Sequence, residues 1–404
     1  SEKMGDRVGT EKSLYQIGQL HYLRGNYDLA LEQSKRTVGV FVELGDRAGV
    51  ASAQHKIGMI LQDRGEYHSA LDYYRQGLEI KKELGDRAGM AGTLHHIGMI
   101  CHLQGKYEEA LEHYRQSLNI HEALQDRDGI SLSLHQIGML YADRSEYEAA
   151  LEQYNKALEI VKIIGNRERV AASLFQIGNI HLLRGEYEVA LEKYGESLRI
   201  AEKLEDPDGI AKASYQIGMV HQEREEYELA NEQYEKSLKI AKGLGNRSGI
   251  ADSTYQIGVI RQESGNYEVA MEHYKKSLEI RKALNDRGGV AVSLHQIGRV
   301  YQEQGEYEEA LSKYEESLKI REELGDRKGV AESYNQIGRL YTHSGDYSEA
   351  LEFLLIALSI FGELESPDAE ITLNALRDLR AKWGEEDFDT AFQAFKKQCF
   401  YLIG

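Results

Sequence analysis

The sequence predicts an all-α, right-handed α-solenoid of helix-turn-helix repeats, and three observations carry that expectation. Glycine returns every 40 residues from Gly18 to Gly338, with an isoleucine before it in all nine copies, Ile17 to Ile337. Two further columns keep the same step without insertion or deletion, tyrosine from Tyr27 to Tyr347 and alanine from Ala30 to Ala350. The length of 404 residues exceeds what one compact core fills, about 250–300, and no Pro-rich or Gly/Ser-rich linker divides the chain. A period of this size marks a repeat array.

Each unit reads as two helices. In the second, helix A is expected from Arg47 to about Asp63, followed by a Gly65-Glu66 turn and helix B from Tyr67 to Leu84. Helix A sets Ile57 and Gly58 beside Leu61, while Ala70, Leu71, Tyr74 and Leu78 form one stripe at helical spacing. Gly58 costs about 1 kcal/mol inside a helix. The expected return is close approach of a neighbouring helix, with a Tyr67-type ring over the bare backbone. Gly85 falls where a left-handed residue ends a helix. Asp6, Asp46, Asp86, Asp126, Asn166, Asp206, Asn246, Asp286, Asp326 and Ser366 stand as N-caps. Both prolines, Pro207 and Pro367, follow such a cap at the first helical position, where a missing N–H does no harm. A second aromatic column, Tyr74 to Tyr314, makes the tyrosine excess (26 residues) structural rather than catalytic.

Composition excludes several classes. A net charge of −18 disfavours a phosphate-tracking surface, so no nucleic-acid partner is expected. No apolar run approaches the roughly 18 residues of a membrane span, so no membrane insertion is expected. Two cysteines, Cys101 and Cys399, are too few for a disulfide framework and point to a reducing, cytoplasmic setting.

The ends read differently. Ser1–Arg7 align with Phe41–Arg47, so residues 1–9 read as the tail of a preceding repeat and a first junction, either cut from a longer chain or degenerate. Residues 10–365 read as nine units. From Ser366 the register breaks: Ile371, Leu373, Leu376 and Leu379 keep a helical stripe, followed by Phe388, Phe392, Phe395 and Cys399. Residues 366–404 are therefore expected to be a C-terminal helical cap with a buried Cys399.

These columns resemble the tetratricopeptide repeat. Leu94, Ile97, Gly98 and Cys101 match its helix A pattern, Gly105-Lys106-Tyr107 its turn, and Ala110, Tyr114, Ser117 and Leu118 its helix B. The 40-residue unit, with a Gly-Asp-Arg junction in place of the usual proline, is similar to Pins/LGN-class adaptors. It is also similar to the sensor arrays of prokaryotic STAND ATPases and CHAT proteases. The resemblance implies a groove lined by the A helices, at the second, fifth, sixth, ninth, twelfth and thirteenth positions, beginning at Lys12, Tyr15, Gln16, Gln19, Tyr22 and Leu23.

The sixth column reads Gln16, Lys56, His96, then Gln136, Gln176, Gln216, Gln256, Gln296 and Gln336. A carboxamide donates and accepts, so this ladder suits an extended peptide's backbone, much as the Asn ladder of the O-GlcNAc transferase superhelix does. The alternative is hydrogen bonding to the adjacent repeat. The ninth column holds Met59, Met99, Met139 and Met219, then Val259, Arg299 and Arg339. Methionine suits varied apolar ligands and equally fills cores. The fifth column is aromatic or histidine, with His95, Phe175, Tyr215 and Tyr255 as contact candidates. Successive histidines do not make a metal site, because helix axes stand about 8–10 Å apart and tetrahedral zinc needs nitrogens near 2.1 Å. Glu223, Glu263 and Glu303 turn the later groove acidic, either to orient a ligand or as a solvated face. The junction arginines (Arg7, Arg47, Arg87 and their equivalents) sit where the helix dipole disfavours a cation, so an ion-pair ladder with Glu43- or Glu83-type residues at the end of the preceding helix is expected.

No phosphate loop, zincin pair, nucleophile elbow or Cys-x-x-Cys occurs. The expectation is a non-enzymatic scaffold without cofactor or metal, binding a protein or peptide, extended or folded, that carries apolar and polar or basic segments. The alternative is a sensor module cut from a larger signalling protein.

Overall fold

The computed structural model describes residues 17–403, with side chains as far as Lys396. Asp6, Lys12, Tyr15, Gln16 and the Cys399 side chain lie outside the described residues. Among the described residues every regular element is a helix. The chain divides into two compact units, Ser1–Leu204 and Glu205–Gly404.

The first unit holds α1 (described over 17–23), α2 (Tyr27–Leu44), α3 (Arg47–Asp63), α4 (Tyr67–Leu84), α5 (Arg87–Leu103), α6 (Tyr107–Ala123), α7 (Arg127–Asp143), α8 (Tyr147–Ile164), α9 (Arg167–Leu183) and α10 (Tyr187–Lys203). The second holds α11 (Pro207–Glu223), α12 (Tyr227–Leu244), α13 (Arg247–Glu263), α14 (Tyr267–Ala283), α15 (Arg287–Glu303), α16 (Tyr307–Leu324), α17 (Arg327–Ser344), α18 (Tyr347–Glu363), α19 (Ala369–Trp383) and α20 (Glu385–Ile403). Odd-numbered helices are the A members and even-numbered ones the B members. Within each unit a B helix packs on its own A helix and on the next A helix, as α4 does on α3 and α5. Each unit is thus a stack of helix pairs, an all-α solenoid.

The helix boundaries follow local chemistry. Asp46, Asp86, Asp286 and Asp326 each accept a hydrogen bond from the backbone N–H three residues on, satisfying a donor that the first turn leaves free. Gly85 ends α4 at φ 70°, and the N–H groups of Gly85 and Asp86 return to the carbonyls of Lys82 and Lys81. Two expected caps differ. Asp206 makes no side-chain capping bond, and Pro207 alone marks the start of α11. Ser366 is not a cap: Asp368 precedes α19, and the Ser366 hydroxyl instead accepts from the Asp368 N–H at 3.3 Å. Pro367 therefore lies in the turn rather than at the first helical position.

The core is one contact repeated. A Cβ built on Gly58 would stand 2.5 Å from Tyr74 Cε1, and Gly98, Gly138, Gly178, Gly218, Gly258 and Gly298 meet Tyr114 through Tyr314 in the same way. The ring lying on the bare backbone is thus the Tyr74-type residue, deep in helix B, and not the Tyr67-type residue of its first turn. The tyrosines from Tyr74 to Tyr314 are fully buried. Six residues before the end of α6, the Ser117 hydroxyl donates to the Ala91 carbonyl of its own A helix, a bond repeated at Ser197, Ser277 and Ser317. Cys101 is a free, buried thiol.

The junction arginines do form a ladder, with a different partner from the one expected. Arg47 pairs with Glu83, Arg287 with Glu323 and Arg327 with Glu363. Each glutamate ends the B helix that follows the arginine's own A helix, 36 residues on. Both partners are about half exposed, so each rung contributes at most about 1 kcal/mol.

In α19 and α20, Leu376, Leu379 and Phe388 bury against Leu351 and Leu354 of α18. Trp383 sits between Tyr347 and Phe388, at ring separations of 5.8 and 6.4 Å. Ile371 departs from the expected stripe: it is 51% exposed, while Thr372 is buried in its place.

Candidate recognition face on the A helices

Helical spacing puts the fifth, sixth and ninth positions of each A helix on one side. In the fifth column a ring leans on the buried tyrosine of its own helix B: His95 on Tyr114, Phe175 on Tyr194, Tyr215 on Tyr234 and Tyr255 on Tyr274, at 5.4–5.9 Å. All four are half-buried. Burial, with His96 and His121 nearby, pushes the His95 imidazole down to about 4, so it is neutral at physiological pH. Among the described residues no group of three His, Cys, Asp or Glu could hold a metal ion.

The amide column is also half-buried, at Gln136 and Gln176 in the first unit and Gln216, Gln256, Gln296 and Gln336 in the second. Part of its capacity is spent between repeats. Gln256 donates to the Tyr215 hydroxyl, 41 residues back, at 3.2 Å, and Gln296 bonds Tyr255 in the same relation. Gln176 accepts from Asn179 at 2.7 Å and Gln296 from Arg299 at 3.3 Å. The Gln216 carbonyl oxygen, by contrast, is buried without a partner among the described residues.

Met59, Met99, Met139 and Met219 straddle core and surface: each packs against a buried cluster while staying partly exposed. Glu223, Glu263 and Glu303 are exposed. The glutamines before them have a structural task. Gln222, Gln262 and Gln302 accept from the hydroxyls of Tyr234, Tyr274 and Tyr314 at 2.8 Å. In α5 the equivalent residue is His102, which bonds Asp143 instead, and the Tyr114 hydroxyl is left buried without a partner among the described residues. Tyr274→Phe is therefore expected to cost about 1 kcal/mol, because it strands a buried acceptor, and Tyr114→Phe is expected to be neutral or stabilising. Paired thermal melts of the two variants check this; equal losses would remove the distinction.

Five of the candidates meet in one place. Gln296, Arg299 and Glu303 of α15 and Gln336 and Arg339 of α17 line a cavity of about 500 Å³ in the second unit. Its wall contains two kinds of residue that repeat reading passed over. One is a buried cation at the end of helix B. Arg321 (4% exposed) donates to the Gly329 carbonyl, Ser333 and Glu332, and Arg281 and Lys81 fill the same column in α14 and α4. That column also contains Val161, Ala201 and Ala241, which hides the charge. The other is Asn335, a buried amide in the position that is aromatic or histidine elsewhere.

The fold likeness extends to solved structures. The apo quorum sensor NprR from B. thuringiensis aligns with a TM-score of 0.62 at 15% identity, covering 87% of this chain and 98% of that one. A STAND signal-transduction ATPase with a tetratricopeptide-repeat sensor, from Pyrococcus horikoshii, aligns at 0.58 and 17% identity, over 74% of this chain and 46% of that longer one. A Rap protein complexed with competence and sporulation factor aligns at 0.52 and 16% identity, over 85% and 99%. At these identities the likeness is one of fold. No curated protein matches the chain by sequence. The tetratricopeptide-repeat profiles themselves match residues 9–83, 89–163, 169–243, 249–323 and 330–368. Since that span and the Gly58–Tyr74 packing repeat together, the chain belongs to the tetratricopeptide-repeat family.

Proposed function

We propose that the protein is a non-enzymatic interaction scaffold that takes a peptide, or an extended segment of a larger protein, along its A-helix faces. The observation that carries this reading is the row of half-buried amides, one per repeat on the A helices from Gln136 to Gln336. Met59, Met99 and Met139 supply apolar contact, and Glu223, Glu263 and Glu303 orient the polar end. A cytoplasmic location fits the buried free thiol of Cys101. Among the described residues no helix is long and apolar enough to cross a membrane.

A sensor role is the second reading, favoured by the fold likeness to a quorum sensor and to the sensor of a STAND ATPase. Coding sequence upstream of Ser1 discriminates: a nucleotide-binding or protease domain there supports the sensor. The groove is tested with a partner recovered by pull-down and identified by mass spectrometry. Replacing Gln176, Gln216 and Gln256 with alanine is expected to weaken binding more than about tenfold, or 1.4 kcal/mol. The Gln256–Tyr215 bond adds a stability loss of about 1 kcal/mol. Unchanged affinity, or collapse of folding, would assign the ladder to structure alone.

A further inference from the structure

Two columns of the repeat break together at the cavity between α15 and α17. The ninth column is methionine, valine or an amide in every earlier A helix and turns to Arg299 and Arg339 here, while the fifth is aromatic or histidine until Asn335. All three side chains line the same space of about 500 Å³, within the roughly 300–1,000 Å³ typical of small-molecule sites. Shared packing explains a side chain that recurs with the period; it does not explain these. The charges give the first clue to what does. Among the described residues neither arginine has a carboxylate partner, and Arg299 donates to the neutral Gln296 amide. The acids of the wall are engaged or peripheral: Glu332 accepts from Arg321 at 3.2 Å, Asp368 from Lys328 at 3.0 Å, and Glu303 is exposed at the mouth. The terminal oxygens of a phosphate monoester accept a planar fork from each of two arginines. Its charge, about −1.5 to −2 at pH 7, matches the two unpaired cations.

A bare phosphate leaves the rest of the wall unanswered. Asn335 Oδ1 and His295 Nδ1 have no hydrogen-bond partner among the described residues, although their side chains are only 5% and 8% exposed. Asn335 Oδ1 is an acceptor, so it calls for a donor such as a hydroxyl, which an anion is not. Burial, then the positive charges of Arg321 and Arg299, keep His295 neutral at physiological pH, so its ring also offers an acceptor nitrogen. The Glu332 and Asp368 carboxylates retain lone pairs beyond their ion pairs and accept from further hydroxyls. Val292 and Ile371, both exposed beside these groups, supply apolar contact for the C–H face of a ring. The wall thus fits a molecule with one phosphate and several hydroxyls.

We propose that this cavity binds a phosphorylated polyhydroxyl metabolite, a sugar phosphate or a nucleotide, with the phosphate between Arg299 and Arg339 and hydroxyls donating to Asn335 and Glu332. The ligand is a small molecule and the site lies within the second unit, so the assignment stands apart from the peptide reading and survives or fails without it.

The test titrates the full chain calorimetrically with glucose 6-phosphate, ribose 5-phosphate and AMP, and with glucose, ribose, adenosine and inorganic phosphate as their parts. The expected result is that at least one phosphorylated probe binds at least about tenfold tighter than either of its parts. AMP ahead of both sugar phosphates identifies a nucleotide site, and the reverse order a sugar-phosphate site; either supports the proposal. Arg299→Gln/Arg339→Gln is expected to weaken that binding at least about tenfold. Lys275→Gln/Lys276→Gln, which removes the same charge from exposed positions on α14, should leave it unchanged. Asn335→His brings back a residue type of the fifth column, so it is expected to melt at or above the wild-type temperature and still lose at least about tenfold in affinity. An Asn335 that serves packing alone would instead show a lower melting temperature with unchanged affinity, and that result would overturn its role. No response to any phosphorylated probe at millimolar concentration would overturn the site, as would inorganic phosphate binding equally well or an arginine variant with wild-type affinity. A phosphoserine octapeptide that binds tighter than every metabolite would also overturn it and would give the cavity to the peptide groove.

Discussion

Gly178→Ala is expected to lower the stability of the first unit by about 3 kcal/mol or more, although alanine is the better helix former by about 1 kcal/mol. The new methyl would stand 2.7 Å from Tyr194 Cε1, closer than two carbons can pack. The ring cannot swing away, since Tyr194 is fully buried and its hydroxyl is held by Asn179 at 2.7 Å. Relief requires the two helices to separate along their whole contact, and close-packed interiors resist such movement. The same substitution at Gly18 has the opposite expectation. There Ser34 replaces the tyrosine, and the nearest atom to the added methyl is Gln33 Cβ at 3.5 Å, an ordinary contact. Gly18→Ala should be neutral or mildly stabilising. Thermal melts of both variants decide the matter, and equal losses would show that the glycine column serves the backbone rather than the ring. Gly178→Ala combined with Tyr194→Ala should cost less than the sum of the two, because the second change removes the clash created by the first.

That contrast also shows what repetition makes readable. A column such as Gly58 to Gly298 is visible because a steric demand recurs with the period, and the exception at Ser34 is visible beside it. Which ring meets the glycine was not readable from spacing, since the Tyr67-type and Tyr74-type columns repeat equally well and only the helix crossing selects between them. The junction ladder has the same character: charges at both helix ends are obvious, but the stacking of pairs decides that Arg47 reaches forward to Glu83. The A-helix face was legible as a set of columns, because Gln, Met and ring positions keep helical spacing. The cavity was not. It depends on where the periodicity fails, at Asn335, Arg321 and the first turn of α19, and a reading built on recurrence discounts single departures.

His295 carries a large expected pH effect. It is 8% exposed, and its ring leans on Tyr314 at 5.1 Å. Burial first, then the positive charges of Arg321 and Arg299, push its pKa down to about 3 from the ordinary 6.5. Below pH 6.5 the unfolded chain binds a proton that the folded chain refuses. The stability from this histidine is therefore complete above pH 6.5 and declines on acidification, until the folded state also protonates near pH 3. At pH 5 the expected loss is about 2 kcal/mol. In the first unit His55, pushed down to about 3, and His95, pushed down to about 4, act in the same direction. Phe175 occupies the same column in α9, so His295→Phe is a replacement the packing already accommodates. Hydrogen-exchange protection of α15 should fall between pH 7.5 and pH 5.0 in the wild type, and by about 2 kcal/mol less in the variant. An equal fall in both proteins, or an imidazole NMR signal of His295 that titrates near 6.5, would show that the ring reaches water and that the cavity wall is looser than its packing implies.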